Sequence, residues 1–443
     1  MLSLGRERVR RRGYRLLVHT SRPIAPAPGL SGLVRHNPRV SEVVKRPIGL
    51  GLVLAVLAGT LVLGAALKLP CAAGNWTNGR QYVRYCYSDI VPLLGTEQLT
   101  GGRLPYLDAC ADAPGECDEY PVVSMYAMRL AAWVSVDVEG YFWANVGLLT
   151  LCAVSVAICL FALAGARALY FAAAPTLLVY GFINWDLIAV AFATGALVAY
   201  ARRANAWAGI LLGLGAAAKI YPALLVVPLA LQRFREREPD QAIHLAWGAA
   251  GSWLAVNVPF VLAAPAGWWE FFRLNTTRSA DWDSLWFIGC HRLTGELYCE
   301  PTRAINIASA IAFVAIAVYL YALKRRADPD FERWTFVFPL VVAFLLTNKV
   351  YSPQYSLWLL PLFALAFPNL RMWALFEAAD IAVFLTRFSW FARHSGFGGW
   401  PIGAFEIAVL VRAAILIACI VVWMRREREE PLLAEPVAEA APA

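Results

Sequence analysis

Apolar stretches recur along the chain at about the length that crosses a bilayer, separated by short polar or basic breaks. They fall at 48–67, 141–164, 168–182, 186–201, 205–219, 222–232, 244–264, 303–323, 333–347, 354–368, 372–387 and 402–424. Lipid offers no partner to an exposed backbone amide, and a helix satisfies its own amides internally. The pattern therefore predicts an all-α polytopic membrane protein, a bundle of about twelve spans. Several runs are short or interrupted by Pro175, Pro222 or Pro228, and these read as half-spans or tilted helices.

One long polar interval breaks the series after the first run. It contains "RYCYSDIVPLLGTEQLTGGRLPY", where Tyr85, Tyr87, Ile90, Val91, Leu93 and Leu94 surround Asp89. That mixture predicts a short amphipathic helix lying on the membrane surface. The next apolar stretch, "EYPVVSMYAMRLAAWVSV", is broken by Arg129 and reads as a second interfacial helix. Segment 68–140 is thus expected to form one large loop with two interfacial helices. A second large loop is expected at 265–302.

Charge gives the expected orientation. The chain has 39 Lys and Arg and a net charge of +8, yet residues 1–46 hold eleven of those cations against Glu7 and Glu42. The segment 1–47 reads as a disordered basic cytoplasmic tail on anionic lipid, and 425–443 as a cytoplasmic C-terminal tail around the transmembrane domain 48–424. With the N-terminus inside, 25 of the 39 cations fall on the cytoplasmic side. That bias places 68–140, 265–302, Lys349 and 388–401 on the outer face, and the expected location is the plasma membrane. Nucleic acid is a poor partner for the tail, which has little interleaved aromatic content.

Cysteine usage agrees with this orientation. Cys71, Cys86, Cys110 and Cys117 fall in the first outer loop, and Cys290 and Cys299 in the second. Even numbers in outer loops fit disulfides in an oxidising compartment, and the first four allow three pairings. A metal site is the rival reading, but no CxxC occurs and His is scarce, so nothing requires a metal or other cofactor.

Charges at membrane depth are expensive and mark candidate sites. Asp89 is a candidate general base, with a capping or solvated loop acid as the alternative. "GFINWDLIAVAF" sets Asn184 and Asp186 at the outer end of a run, and "GAAAKIYPALLVVPL" sets Lys219, with Tyr221 behind it, at an outer turn. Lys219 reads equally as a phosphate clamp or as a structural partner of Asp186. "TNKVYSPQYSLWLLPL" adds Lys349 with a cluster of hydroxyl and amide groups. The loop "WWEFFRLNTTRSADWDSLWFIGCHRL" combines Trp268, Trp269, Trp282 and Trp286 with Arg273, Arg278, Asp281 and Asp283. Aromatic faces with Arg and Asp suit a saccharide groove, while an interfacial aromatic belt is the plainer alternative. His394 is a candidate for proton handling. Glu377 and Asp380 share a helix face, and Arg412 is expected in an internal ion pair. No nucleotide-binding or hydrolase motif occurs, including Walker A, HExxH and GxSxG.

The stretches "AKIYPALLVVPL" and "NKVYSPQYSLWLLPL", with "YPVVSMY", "NWDLIAVAF" and the outer-loop Asp89, resemble glycosyltransferase family 87 over roughly residues 48–424. This is a group of integral-membrane GT-C type enzymes that includes actinobacterial polyprenyl-phosphomannose-dependent α-mannosyltransferases. The resemblance implies an inverting hexosyltransferase on the outer face, fed by a polyprenyl-phosphate sugar. Mannose is the implied donor sugar, with arabinofuranose open, and a cell-envelope glycolipid or polysaccharide is the acceptor. It implies Asp89 as the base. Lys219, Lys349, Arg273 and Arg278 are the candidates to meet the leaving phosphate, beside Tyr351, Ser352, Gln354 and Tyr355. Asn184, Asp186, Tyr221, Asp281, Asp283, Trp286 and His394 are the candidates to hold sugar or acceptor. The rival class is a transporter or flippase of a lipid-linked intermediate, which shares the charged rim but does not need Asp89.

Overall fold

The computed structural model describes residues 48–110 and 117–426. The two expected tails, apart from residues 425 and 426, lie outside the described residues. The described chain is helical, with no strand among the described residues. Five helical segments are long and apolar enough to cross a membrane: Leu50–Gly74, Val138–Ala172, Pro239–Ala263, Thr302–Ala327 and Ile402–Met424. The Leu370–His394 helix is as long, but it carries Glu377, Asp380 and Arg387.

The remaining apolar runs become shorter helices. The run at 168–182 is not one helix but the pieces Leu169–Ala172 and Pro175–Tyr180. Pro175 sits at the start of the second piece, where its missing amide does no harm. The run at 354–368 likewise divides into a 3-10 turn, Pro353–Trp358, and the helix Leu359–Leu365. Both helices expected in the first loop form, as Ile90–Thr96 and Val122–Val134. The second loop holds two helices of its own, Pro265–Thr277 and Leu285–Thr294.

Local signals set several of the starts. The Asp137 carboxylate accepts from Gly140 N at 2.7 Å, Ser284 accepts from Phe287 N at 3.1 Å, and Asn369 accepts from Met372 N at 3.1 Å. Each side chain satisfies a backbone amide that the first turn leaves unpaired.

Lipid removes the hydrophobic drive between spans, so close backbone approach and polar contacts hold the helices together. Helices Asn205–Ala216 and Pro239–Ala263 meet backbone to backbone at Gly209 and Gly213. A Cβ on Gly209 would stand 2.1 Å from Leu245 O, and one on Gly213 would stand 2.2 Å from Ala249 O. This contact fixes the end of the first helix, and with it the turn that carries Lys219.

The connecting segments gather at two ends. At one end the first loop is laid on the helix ends by Asp89 N to Ile183 O at 2.9 Å and Val123 N to Ala217 O at 2.9 Å, and the second loop is joined to the Lys349 turn by Asp281 N to Lys349 O at 2.9 Å. Three disulfides belong to this end, Cys71–Cys86, Cys110–Cys117 and Cys290–Cys299. Of the three pairings open to the first four cysteines, the chain adopts the one that joins neighbours. At the other end Arg203 meets Glu236 at 3.0 Å and Glu238 at 2.5 Å, while Arg235 meets Glu332 at 2.7 Å.

Candidate active site

A cavity of about 700 Å³ opens at the disulfide-bearing end. Its polar wall includes Tyr87, Asp89, Glu119, Tyr120, Lys219, Arg278, Asp281, Lys349, Gln354, Tyr355 and Arg387. Its apolar wall is built by Phe271 and Phe272 of the Pro265–Thr277 helix, Ala310 and Phe313 of the Thr302–Ala327 helix, and Phe344. Space of this size, polar on one side and aromatic on the other, matches a ligand with a polar head and an apolar body.

Asp89 stands at the N-cap position of Ile90–Thr96, but its side chain makes no capping bond. The capping alternative is therefore not used. One oxygen accepts the Tyr87 hydroxyl, and the other accepts Asn184 Nδ2 at 2.9 Å. The segment around it is pinned. Lys68, fully buried, donates to Tyr87 O at 2.8 Å and to Val179 O at 3.3 Å, and Ser88 Oγ donates to Phe182 O at 2.9 Å. Cys71–Cys86 closes the chain just before. Asn184 also donates to the Tyr120 hydroxyl at 2.6 Å, joining the first loop to the helix end behind it. The base candidate is thus oriented from two sides and still faces open space.

Lys219 combines its two expected readings. Its ammonium lies 3.5 Å from the Asp186 carboxylate and still lines the cavity. The ring centroids of Tyr120 and Tyr355 stand 4.8 Å and 5.0 Å from that ammonium. Asp186 is buried and accepts Trp358 Nε1 at 2.8 Å. Tyr221 stacks on Trp358 from one side at 4.3 Å and Tyr355 at 4.1 Å. Tyr221 and Asp186 therefore build the support behind Lys219 and do not line the cavity.

Two further cations share the wall. Lys349 Nζ donates to Arg278 O at 2.6 Å. Burial pushes its ammonium down to about 8, helped by the nearby Arg278 guanidinium. The Arg278 guanidinium itself has no hydrogen bond or ion pair among the described residues, and it is exposed to the cavity. Asp281 accepts Ser352 Oγ at 2.7 Å, with Arg387 at 3.9 Å. Burial alone would raise its carboxyl, but Arg387 and Arg278 overcome that and hold it below the usual range.

Several residues proposed from sequence stand elsewhere. Asp283 is buried and paired with Arg387 and, at 3.8 Å, with Arg412, so it belongs to an internal network. Arg412 also meets Asp380 at 3.0 Å and lies 3.9 Å from the centroid of the Tyr351 ring. Tyr351 is buried there, away from the cavity wall. Ser356 Oγ donates to the same Asp380 at 2.9 Å, which anchors the "YSPQY" turn. Glu377 instead accepts Thr176 N at 2.8 Å. The Trp286 indole donates to Thr347 O at 2.7 Å behind the wall. Arg273 pairs with Glu270 on an exposed helix face, and His394 is exposed at the end of its helix. Neither lines the cavity.

Tyr87, Glu119 and Tyr120 were not among the sequence candidates. Tyr87 had a legible signal two residues before Asp89. Tyr120 was visible only as the first residue of "YPVVSMY", and Glu119 had no signal, since it reaches the cavity only through the folding of the first loop.

A family model, glycosyltransferase family 87, matches residues 119–347. No curated protein matches the chain. The matched segment contains Glu119, Tyr120, Asn184, Asp186, Lys219, Arg278 and Asp281; Lys349 falls just after it, and Asp89 lies well before its start. A cavity among the helix ends with an oriented carboxylate facing clustered cations accords with that match over half of the sequence: the chain belongs to glycosyltransferase family 87.

Proposed function

We propose that this glycosyltransferase is an inverting hexosyltransferase that takes its sugar, mannose in the first instance, from a polyprenyl-phosphate donor. The acceptor is a hydroxyl of a cell-envelope glycolipid or polysaccharide. The observation that carries the reading is one cavity holding Asp89, oriented by Tyr87 and Asn184, together with Lys219, Arg278 and Lys349 and an aromatic wall.

The chemistry follows from that arrangement. Asp89 takes the proton of the acceptor hydroxyl as its oxygen attacks C1 of the donor sugar. The C1–O bond to phosphate breaks, and polyprenyl phosphate leaves with the electron pair. The developing phosphate charge is met by cations already in place, which need no reorganisation. Arg278 has a free fork for two phosphate oxygens. The apolar wall at Phe272, Phe313 and Phe344 suits the first isoprene units.

The site is assigned to the outer face of the plasma membrane, with both termini cytoplasmic. Two features support this side: disulfides in the loops that form the cavity, and Arg202, Arg203, Arg233, Arg235, Arg237 and Lys324–Arg326 at the opposite end.

The test is transfer of label from radiolabelled polyprenyl-phosphomannose to a membrane glycolipid extract by purified protein in lipid. Transfer by the wild-type protein, lost in Asp89→Asn while the donor still binds, is the expected result. Transfer undiminished in Asp89→Asn would remove Asp89 from the mechanism.

A further inference from the structure

Glu119 is the one carboxylate of the cavity wall whose side chain has no hydrogen bond or ion pair among the described residues. Asp89 is engaged by Tyr87 and Asn184, and Asp281 by Ser352 and Arg387. Glu119 is half-buried, and burial raises its carboxyl despite the opposing pull of Arg278 and Lys219. Holding an unpartnered carboxylate in that position is unfavourable unless a ligand completes it.

The chain holds Glu119 there by a deliberate set of contacts. The carboxylate of Glu97, fully buried, accepts Asp118 N at 2.6 Å and Glu119 N at 3.2 Å. Arg103 clamps Asp118 at 2.5 Å, and Asp118 in turn accepts Tyr106 N at 3.0 Å. Cys110–Cys117 closes the chain immediately before. On the other side Tyr120 is tied by its hydroxyl to Asn184, the same amide that orients Asp89. Glu119 therefore has a fixed backbone and a free carboxylate, in a cavity where its charged neighbours are Asp89, Lys219 and Arg278.

Those neighbours locate what it meets. The base marks where the acceptor hydroxyl and C1 of the donor come together, and the cations mark where the phosphate sits. A group near both faces the ring that lies between them, which is the donor sugar. A carboxylate has acceptor capacity for two ring hydroxyls at once. We propose that Glu119 binds hydroxyls of the donor sugar and sets which sugar the enzyme takes from its lipid carrier. This rests on the polyprenyl-phosphate donor reading above.

The test compares two lipids, polyprenyl phosphate and polyprenyl-phosphomannose, binding to the full-length protein in lipid, for wild type and Glu119→Gln. The substitution is isosteric and breaks no hydrogen bond or ion pair among the described residues. The wild-type protein is expected to prefer the sugar-bearing lipid. Glu119→Gln is expected to bind bare polyprenyl phosphate at least as tightly as wild type does and to bind polyprenyl-phosphomannose about tenfold more weakly. A variant that keeps the wild-type sugar preference would overturn the role of Glu119 and leave the donor reading standing. A variant that loses both lipids equally would also overturn it, since the effect would not be on the sugar. A wild-type protein that does not distinguish the two lipids would overturn the mannosyl-donor reading and this inference with it.

Discussion

The ammonium of Lys219 lies 3.5 Å from the Asp186 carboxylate, and both belong to turns at the ends of different helices. A cation paired in this way keeps its charge where it lines the cavity, and it is aimed before substrate arrives. Lys219→Met is expected to lower kcat by about a hundredfold, the usual loss when one donor to a developing oxyanion is removed. Asp186→Asn should weaken the same function less, because the two aromatic faces still hold the ammonium. The double variant should be no worse than Lys219→Met alone. Full additivity of the two effects in the transfer assay would show that Asp186 does not act through Lys219.

Asn184 links Asp89 to Tyr120 through one amide. Asn184→Ala should leave the lipid affinity near wild type, since it touches no cation of the wall. It should lower kcat by about tenfold to a hundredfold, because the base loses one of its two orienting bonds. A rise in KM with unchanged kcat would place Asn184 in ground-state binding instead.

Lys349 gives the site an alkaline limit. Burial and Arg278 bring its ammonium down to about 8, so above that pH it loses the charge that meets phosphate. The profile of kcat/KM reports the free enzyme and should fall above about pH 8. Lys349→Arg, which keeps its charge throughout, should move that fall to higher pH. The stability sign runs the other way. The folded-state pKa is below the unfolded value of 10.5, so between about 8 and 10.5 the unfolded chain binds more protons and stability rises with pH. Activity and stability that declined together over this range would point away from Lys349.

Much of this fold was legible in the sequence because lipid allows the backbone few choices. Apolar runs became helices, while the caps at Asp137, Ser284 and Asn369 emerged only from the structure. The divided run at 168–182 was visible only as Pro175, and the division of 354–368 was not foreseen. The site was half legible for a related reason. Charges at membrane depth are rare enough to notice, which exposed Asp89, Lys219 and Lys349. Residue type does not say which way a charge points. Asp281 and Asp283 are two residues apart, yet Asp281 lines the cavity and Asp283 is sealed behind it with Arg387 and Arg412. Glu119 was hidden because Glu97, more than twenty residues earlier, places it through backbone amides.

The Cys71–Cys86 bond closes a loop of 15 residues just before the segment that carries Asp89. By loop-closure entropy such a bond contributes about 3 kcal/mol. The paired change Cys71→Ser with Cys86→Ser should lower the thermal midpoint and reduce transfer more than it reduces lipid binding, since Asp89 is displaced while Arg278 and Lys349 are not. An unchanged kcat in the paired variant would mean that Lys68 and Ser88 alone suffice to hold the base.

Arg412 tests what holds the "YSPQY" turn. Its guanidinium meets Asp380 at 3.0 Å and Asp283 at 3.8 Å and covers the Tyr351 ring, all in a region sealed from water. Removing it leaves two buried carboxylates with too little counter-charge, a change worth about 3–5 kcal/mol when one partner of a buried pair is lost. Arg412→Met should therefore destabilise the protein far more than its lost volume explains. Adding Asp380→Asn should recover part of the loss by removing one of the stranded charges. Ser356 Oγ bonds Asp380, so the same pair of variants should disturb Gln354 and Tyr355 on the cavity wall and weaken binding of polyprenyl phosphate. If Arg412→Met lowers stability while lipid affinity is unchanged, the network holds the bundle but does not position the wall.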